Sequence, residues 1–193
     1  MSAPPLELSV SPELRLRSLR ATHAGALLAA VDADRALFET WLRWAAGVRT
    51  RDDAAAFIAR ATEAEAEGRG FHLGLWRDGM LLGGVPCWSI DPVHRVAELG
   101  YWLGSTSRGS GLAATATRAV MAYLFDQREV NRIEFQCRIE NDASRRTAER
   151  VGGQLEGVRR QSHWVGGAFR DHALYAVLAP EWRGGGTDVR AVG

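Results

Sequence analysis

The sequence predicts one α+β domain built on a single mixed, mostly antiparallel sheet flanked by helices. Runs that alternate apolar and polar residues, typical of half-buried strands, occur on both sides of stretches with helical spacing. Most of these runs follow one another through short turns, which predicts antiparallel pairs. The fourth and fifth strands are instead separated by a long helix, which predicts a parallel, splayed pair. At 193 residues the chain is long enough for one such domain.

The first third of the chain predicts one strand and three helices. Leu14–Leu19 alternates strictly and predicts the strand. Thr22 and Asp34 are predicted to cap the first two helices, because their side-chain oxygens can accept hydrogen bonds from free N–H groups at a helix start. The three predicted helices span His23–Val31, Arg35–Trp44 and Asp52–Glu67.

The rest of the chain predicts six more strands and two more helices. Asp78-Gly79 is a strong hairpin signal, and Pro86 in the strand that follows predicts an edge, a bulge or a bend. The predicted strands are Phe71–Trp76, Met80–Ile90, Val96–Leu103, Asn131–Ile139, 154–164 and 169–178. One long helix opens near Gly111, and a short one opens at Asn141 or Asp142 and ends at Gly152-Gly153. Residues 1–10 are predicted to be a flexible N-terminus, 11–182 the domain and 183–193 a flexible tail.

A glycine-bearing turn, Ser105–Ser110, joins the strand Val96–Leu103 to the long helix. A turn of this kind directs free backbone N–H groups and the positive end of the helix dipole at one point, which suits a phosphate or pyrophosphate. The turn has the form Arg-x-x-Gly-x-Ala and comprises Arg108, Gly109, Ser110, Gly111, Leu112 and Ala113. No lysine follows Gly111, which disfavours a P-loop for ATP.

A second motif, Glu140–Arg146, follows the fifth strand directly. Asn141 or Asp142 can cap the helix that begins here, and Ser144 then lies in its first turn. This segment also has a functional interpretation. A parallel pairing of the fourth and fifth strands places this segment beside the end of the central strand, where ligands bind in open sheets.

Several phrases in one order resemble the GNAT superfamily of N-acetyltransferases, in its Rim-type branch of ribosomal-protein N-terminal alanine acetyltransferases. These phrases are WLRW (41–44), ELGYWL (98–103), the glycine turn, NRIEFQCRIENDASRR (131–146), VGGQLEG (151–157) and DHALYAVLAPEW (171–182). The resemblance covers roughly residues 10 to 182 and implies the GNAT fold. The glycine turn alone is a weak signal, and the phrase around Asn141 and Ser144 is more specific. Two residues depart from the family pattern. Gly153 replaces an aromatic residue, and Ser110 replaces a basic residue. The second replacement weakens the expected phosphate contacts.

The resemblance implies direct transfer of an acetyl group from acetyl-CoA to a primary amine, without a covalent enzyme intermediate. Carried over residue by residue, the backbone of Leu103 pairs with the pantetheine arm of the coenzyme. The backbone N–H groups of Arg108, Gly109, Ser110, Gly111, Leu112 and Ala113 hold its pyrophosphate. Asn141 hydrogen-bonds the pantetheine, and Ser144 lies near the thioester sulfur.

The chemistry needs a neutral amine, so an α-amine with a pKa of about 8 is an easier acceptor near neutral pH than a lysine with a pKa of about 10.4. Glu98 on the central strand is the first candidate for a general base, although a solvated sheet carboxylate explains it equally well. Ser144 is the candidate donor to the leaving thiolate. Tyr101 is a weaker candidate for that role and is expected in the core.

The acceptor itself stays open. An N-terminal α-amine of a protein or peptide is the first hypothesis, and a small-molecule amine such as an amino sugar, a polyamine or a drug is the second. A non-catalytic acyl-CoA binder on the same fold is a third hypothesis, from a different functional class. Trp41 and Trp44 can line the acceptor cleft, and His163 and His172 lie near where the relatives bind their acceptor.

Composition argues against several other functions. A net charge of +1 gives no reason to expect nucleic acid or a membrane surface as a partner. Cys87 and Cys137 have no metal-binding or disulfide spacing and are expected to be buried thiols, and the five histidines predict no metal site. No targeting or membrane-spanning stretch is evident, so the protein is expected in the cytoplasm. A homodimer through an edge strand such as 169–178 is possible by analogy with the relatives.

Overall fold

The computed structural model describes residues 5–184. Its helices are α1 (Ala24–Ala33), α2 (Arg35–Trp41), α3 (Arg51–Ala66), α4 (Leu112–Ala122), α5 (Asp142–Arg150) and α6 (Ala179–Gly184). Its strands are β1 (Glu7–Ser9), β2 (Arg15–Ser18), β3 (Phe71–Arg77), β4 (Met80–Asp91), β5 (Val96–Leu99), β6 (Trp102–Leu103), β7 (Arg132–Arg138), β8 (Gln154–Val165) and β9 (Ala168–Leu178). The predicted α+β class, with one mixed sheet and flanking helices, is confirmed.

All strands belong to one sheet in the order β1-β2-β3-β4-β5-β7-β9-β8, with β6 paired to β4. The neighbours are antiparallel except β5 and β7, whose parallel register places Glu98 opposite Glu134. The predicted parallel pair of the fourth and fifth strands is therefore confirmed. Helix α4 provides the long connection that such a pair needs.

The strand predicted over Val96–Leu103 is interrupted, and this break opens the sheet. Only 96–98 pair with β7, and β6 pairs with β4 alone, whereas β7 continues to Arg138 beside β9. A bulge between Cys87 and Ser89 shifts the register of β4, as Pro86 predicted, and the Gly100 N–H donates to the Pro86 carbonyl at 2.9 Å. The sheet therefore splits between β6 and β7.

The core has two parts, one on each side of this split sheet. The larger cluster packs α4 and α5 against the central strands and includes Met121 and Phe135. The smaller cluster packs α1, α2 and α3 around Trp76 and Trp102. The helices of the smaller cluster form one wall of the opening between β6 and β7.

The predicted caps of the first two helices are wrong. Residues Ala21–His23 form a 3-10 turn, α1 begins at Ala24, and Thr22 caps nothing. Asp34 occupies the N-cap position of α2, but its carboxylate instead accepts from the Ser105 N–H at 2.6 Å. Helix α2 ends at Trp41, three residues short of the prediction, before a second 3-10 turn.

Three other expectations concern the first and last parts of the chain. Strand β1 lies inside the segment predicted to be flexible, where it pairs with β2. Strand β9, the predicted dimer edge, lies between β7 and β8, and β8 has the free edge. Of the predicted tail, 183–193, only 183 and 184 lie within the described residues, at the end of α6. Within 5–184, no helix is long and apolar enough to cross a membrane.

Candidate active site

A cleft of about 880 Å³ lies where β6 and β7 part. The glycine turn, the start of α5, α2 and α3 all line it. The cleft is lined by Glu98, Leu103, Arg108, Gly109, Gly111, Ala113, Asn141 and Ser144, which are eight of the ten predicted site residues. Ser110 and Leu112 belong to the same turn but do not line the cleft.

The glycine turn presents unpaired amides at the start of α4. Gly109 and Gly111 have φ of 78° and 79°, a left-handed conformation that glycine adopts without strain. Across the part of the chain that the structure describes, the N–H groups of residues 109–113 have no hydrogen-bond acceptor. Five unpaired donors at the positive end of an 11-residue helix have the geometry that suits an anion.

The backbone N–H of Arg108, which was predicted to help hold the pyrophosphate, is not free in the structure. Its N–H already donates to the Ser105 carbonyl at 3.3 Å. Its Nε donates to the Leu103 carbonyl of β6 at 3.0 Å, and its Nη2 lies 3.5 Å from the carboxylate of Asp34 at the start of α2. Because Asp34 also holds the Ser105 amide, Arg108 and Asp34 tie the turn to α2, and the free donors begin at Gly109.

Asn141 and Ser144 open α5 at the other side of the split. Asn141 Oδ1 accepts from the Ser144 N–H at 3.0 Å, so the capping role of Asn141 is confirmed. The Ser144 hydroxyl lies 3.2 Å from Cys137 Sγ and 3.3 Å from the Tyr101 hydroxyl. The Tyr101 hydroxyl donates to the Ser144 carbonyl at 2.6 Å.

Cys137 is buried as expected, and Tyr101, expected in the core and the weaker candidate donor to the leaving thiolate, is half-buried against the core and lines the cleft. Burial raises the pKa of both the Tyr101 phenol and the Cys137 thiol, so both stay protonated at neutral pH. Sequence reasoning missed their contact with Ser144, because strand alternation identifies a buried face but not the point where it meets the cleft. The Ser144 hydroxyl can therefore donate to a protonated thiol or to the oxygen of a protonated phenol, whose own hydrogen is directed at the Ser144 carbonyl.

Glu98 is half-buried on β5 and faces the cleft. Its Oε2 accepts from Gln136 Nε2 at 3.1 Å, and burial raises the pKa of its carboxyl. The other amide atom, Gln136 Oε1, is buried without a hydrogen-bond partner among the described groups. Glu98 and Gln136 thus offer two acceptor atoms to an N–H donor in the cleft.

Aromatic and cationic side chains form the wall that α2 and α3 contribute. Trp44 stacks on Phe57 with ring centroids 4.9 Å apart, and the Arg138 guanidinium lies 4.7 Å from the centre of the Trp41 ring. Trp41 and Trp44 therefore do line the cleft, as the sequence suggested. His163 and His172 line the wall that the β8–β9 hairpin contributes.

The histidines do not form a metal site with neighbouring residues. Between residues 5 and 184, no group of three His, Cys, Asp or Glu side chains is arranged to hold a metal ion. Cys87 and Cys137 are separate buried thiols.

The sequence matches the acetyltransferase (GNAT) domain family over residues 13–154. It is 25% identical to the ribosomal-protein-serine acetyltransferase of Escherichia coli (strain K12), over 89% of this chain and 96% of that protein. It is 35% identical to YdaF of Bacillus subtilis (strain 168), which is named as a ribosomal N-acetyltransferase, over 62% of this chain and 65% of that protein.

The fold matches that of a solved acetyltransferase bound to its coenzyme. The microcin C7 self-immunity acetyltransferase MccE, solved in complex with acetyl-CoA and AMP, superposes with a TM-score of 0.86 at 25% identity. The match covers 92% of this chain and 98% of MccE. The split sheet and the glycine turn thus occur in a fold that binds acetyl-CoA in this relative.

Proposed function

We propose, since this chain belongs to the GNAT acetyltransferase family, that it transfers the acetyl group of acetyl-CoA to the N-terminal α-amine of a protein or peptide. The observation that carries the proposal is the pairing of two features in one cleft. The unpaired amides of residues 109–113 suit a pyrophosphate, and the Ser144 hydroxyl stands at the split of the sheet. The name of the Escherichia coli relative, a ribosomal-protein-serine acetyltransferase, supports a protein as the acceptor, and the lower pKa of an α-amine favours its N-terminus over a lysine.

The residues present fit acetyl-CoA. The amides of Gly109 to Ala113 would hold the pyrophosphate, and the backbone of Leu103 would pair with the pantetheine arm, because β6 has no strand partner on its β7 side. Asn141 Nδ2 is free for the same arm, since its cap uses Oδ1. The coenzyme supplies the acetyl group as a thioester, and the acceptor nitrogen attacks it directly.

Ser144 would serve the leaving sulfur. A departing thiolate needs a proton or a hydrogen bond, and the Ser144 hydroxyl can donate one. The protonated Cys137 thiol lies 3.2 Å from the Ser144 oxygen and can donate to it when the hydroxyl turns toward the sulfur. The acceptor nitrogen gives up two protons in one turnover, one to become a neutral nucleophile and one as the amide bond forms. We assign the second of these to Glu98, acting directly or through water.

Replacing Glu98 with glutamine tests that assignment. The Glu98→Gln variant keeps the shape and the hydrogen bond to Gln136 but cannot take a proton, so kcat/KM should fall about 10²-fold near neutral pH. Because only the carboxylate form accepts a proton, wild-type activity is lost as pH falls through the raised pKa of Glu98. On the acidic side of the pH profile, log(kcat/KM) of the variant should therefore change with a slope one unit smaller than that of the wild type. Matched pH profiles at saturating acetyl-CoA measure this, and superimposable profiles would remove Glu98 from the reaction.

The acceptor class is tested by measuring thiol release with matched amines. A peptide with a free N-terminus should react, the same peptide with a blocked N-terminus and an internal lysine should not, and mass spectrometry should find the acetyl group on the α-nitrogen. MccE gives the second candidate a basis, because that relative was solved with AMP beside acetyl-CoA. Turnover of small amines without turnover of peptides would favour the small-molecule alternative. Coenzyme binding without turnover of any amine would favour a non-catalytic acyl-CoA binder.

We also propose that the protein works in the cytoplasm, where ribosomal proteins are made, and that it forms a homodimer through β8 rather than β9. The outer edge of β8 has no strand partner, and Leu155 and Val158 on this strand are 54% and 52% exposed. Light scattering in solution should give twice the chain mass of 21.1 kDa. A single-chain mass would exclude this dimer. The proposal includes no metal, nucleic-acid or membrane partner.

A further inference from the structure

Two histidines of the β8–β9 hairpin contact each other in the wall of the cleft. The ring centroids of His163 and His172 are 4.0 Å apart, and both side chains line the cleft. His172 is 7% exposed, and His163 is more open. Within residues 5–184, the Nε2 atom of neither ring has a hydrogen-bond partner.

The hydrogen bonds of the two Nδ1 atoms bear on which ring nitrogens of His163 and His172 can accept a proton. His172 Nδ1 lies 3.3 Å from the Arg170 carbonyl, which can only accept, so a neutral His172 carries its hydrogen on Nδ1. His163 Nδ1 lies 3.0 Å from the Ser162 hydroxyl, which lies 3.4 Å from His172 Nδ1 as well. The Nδ1 atoms are thus engaged within the hairpin. The Ser162 hydroxyl can donate or accept, and His163 Nε2 can accept a proton in the tautomer whose Nδ1–H donates to Ser162.

Sheet register places this pair level with Ser144. His172 is directly opposite Arg138 on β9 and β7, so their side chains share one face of the sheet. Arg138 follows Cys137, whose Sγ contacts the Ser144 hydroxyl, so Ser144 lies at the same level of β7 but against its opposite face. Glu98 is opposite Glu134, four residues further back along β7. The histidine pair and Glu98 therefore approach the split in the sheet from different positions.

The charges around the pair are mostly positive and favour its neutral form, whereas Glu140 favours the charged form of His172. They are Arg159 on β8, Arg170 on β9, Arg138 and Glu140 at the end of β7, and Arg43 beyond α2. Burial lowers the pKa of His163, and Arg159 and Arg43 lower it further. Burial lowers the pKa of His172 to about 4, and His163 contributes to that shift. Of the two, His163 is the better proton acceptor near neutral pH, because its pKa is less strongly lowered.

We propose that His163, positioned by His172 and Ser162, takes the first proton from the acceptor ammonium before the nitrogen attacks. This inference rests on the proposed acetyl transfer. One N–H bond of the ammonium breaks, its electron pair stays on nitrogen as the attacking lone pair, and the proton bonds to His163 Nε2. The imidazolium then gives the proton to water. His163 thus serves the proton lost before attack, and Glu98 serves the proton lost as the amide forms.

The direct test is the pH profile of a His163→Gln variant with a peptide acceptor. Glutamine keeps a polar side chain but is not a base, so kcat/KM for the peptide should fall about 10²-fold near neutral pH, with the Kd of acetyl-CoA unchanged. On the acidic side of the profile, the slope of log(kcat/KM) against pH should also be one unit smaller than in the wild type, because His163 must be unprotonated to act. A variant within twofold of wild type at every pH overturns the inference.

A second test measures the imidazole without turnover. Ring NMR signals of the wild-type protein, assigned with the His163→Gln variant, should show His163 titrating below the ordinary 6.5. Arg43→Gln removes a nearby positive charge and should move this titration, and the acid limb of kcat/KM, to higher pH. Arg160→Gln, which removes an exposed charge of β8 that does not line the cleft, should leave both in place. Movement of the His163 titration in Arg43→Gln without movement of the acid limb of kcat/KM contradicts the inference.

These tests separate this inference from the proposed function. If wild-type protein binds acetyl-CoA but acetylates no peptide, the proposed function fails first. If the wild type acetylates peptides and His163→Gln does so equally well, only the role of His163 fails.

Discussion

Replacing Gly111 with valine is expected to abolish measurable binding of acetyl-CoA while the domain stays folded. Gly111 has a φ of 79°, which a β-branched residue adopts only under strain, so the turn should move out of the left-handed region. The amides of residues 109–113 would then no longer converge. Losing two hydrogen bonds to a charged phosphate, at about 1.5–3 kcal/mol each, corresponds to a loss of affinity of about 10³-fold.

Gly79→Val is the matched control for this prediction. Gly79 has a φ of 77° in the β3–β4 turn, and a Cβ added there, like one added at Gly111, would not crowd any neighbouring atom. Both variants should lose similar stability from backbone strain, of about 1–3 kcal/mol. Isothermal titration calorimetry should find the wild-type Kd in Gly79→Val only. Equal Kd values in the two variants would show that the glycine turn does not bind the coenzyme.

Replacing Ser144 with alanine is expected to lower kcat about 10³-fold and to leave the Kd of acetyl-CoA nearly unchanged, because one donor to developing charge is lost. The variant should fold normally, since the cap of α5 uses the backbone N–H of Ser144 and not its hydroxyl. The hydroxyl contacts only Cys137 and Tyr101 among the described side chains. Its removal therefore affects the leaving sulfur more than the structure.

Thr62→Ala serves as the control, because Thr62 lies on α3 outside the cleft and its hydroxyl bonds only the Ile58 carbonyl among the described groups. Stopped-flow or steady-state thiol release should separate the two variants, with Thr62→Ala close to wild type. If Ser144→Ala turns over at the wild-type rate, the leaving thiolate takes its proton from another group, and Tyr101 becomes the first candidate.

Local sequence signals predicted most of the sheet, because alternation and hairpin turns are short-range features. Asp78-Gly79 and the bulge after Pro86 are examples. The break at Gly100 was not predictable in this way. It arises because Gly100 bonds to Pro86 and lies so close to Trp88 that a Cβ would be 2.6 Å from its Nε1, and both contacts depend on strand pairing.

The candidate site likewise has features that local sequence signals predicted and features that they did not. The spacing from Gly109 to Ala113 and the capping signal at Asn141 are local and were readable from the sequence. The predicted part of Asp34 is wrong, because its carboxylate holds the Ser105 amide 71 positions away rather than its own helix. The contacts of Cys137 with Ser144 and of His163 with His172 likewise depend on how the strands and α5 come together.

The measurement that tests the central claim most directly is a thermal-shift titration of the wild-type protein with acetyl-CoA, with ATP and with free coenzyme A. At about 100 times its Kd, a ligand stabilises the native state by about 2.7 kcal/mol. For a domain of this size, that corresponds to an increase in Tm of about 5–10 °C. We expect this increase with acetyl-CoA and none with ATP. No shift with either coenzyme A species, or an equal shift with ATP, would contradict the assignment of residues 109–113 as the coenzyme site.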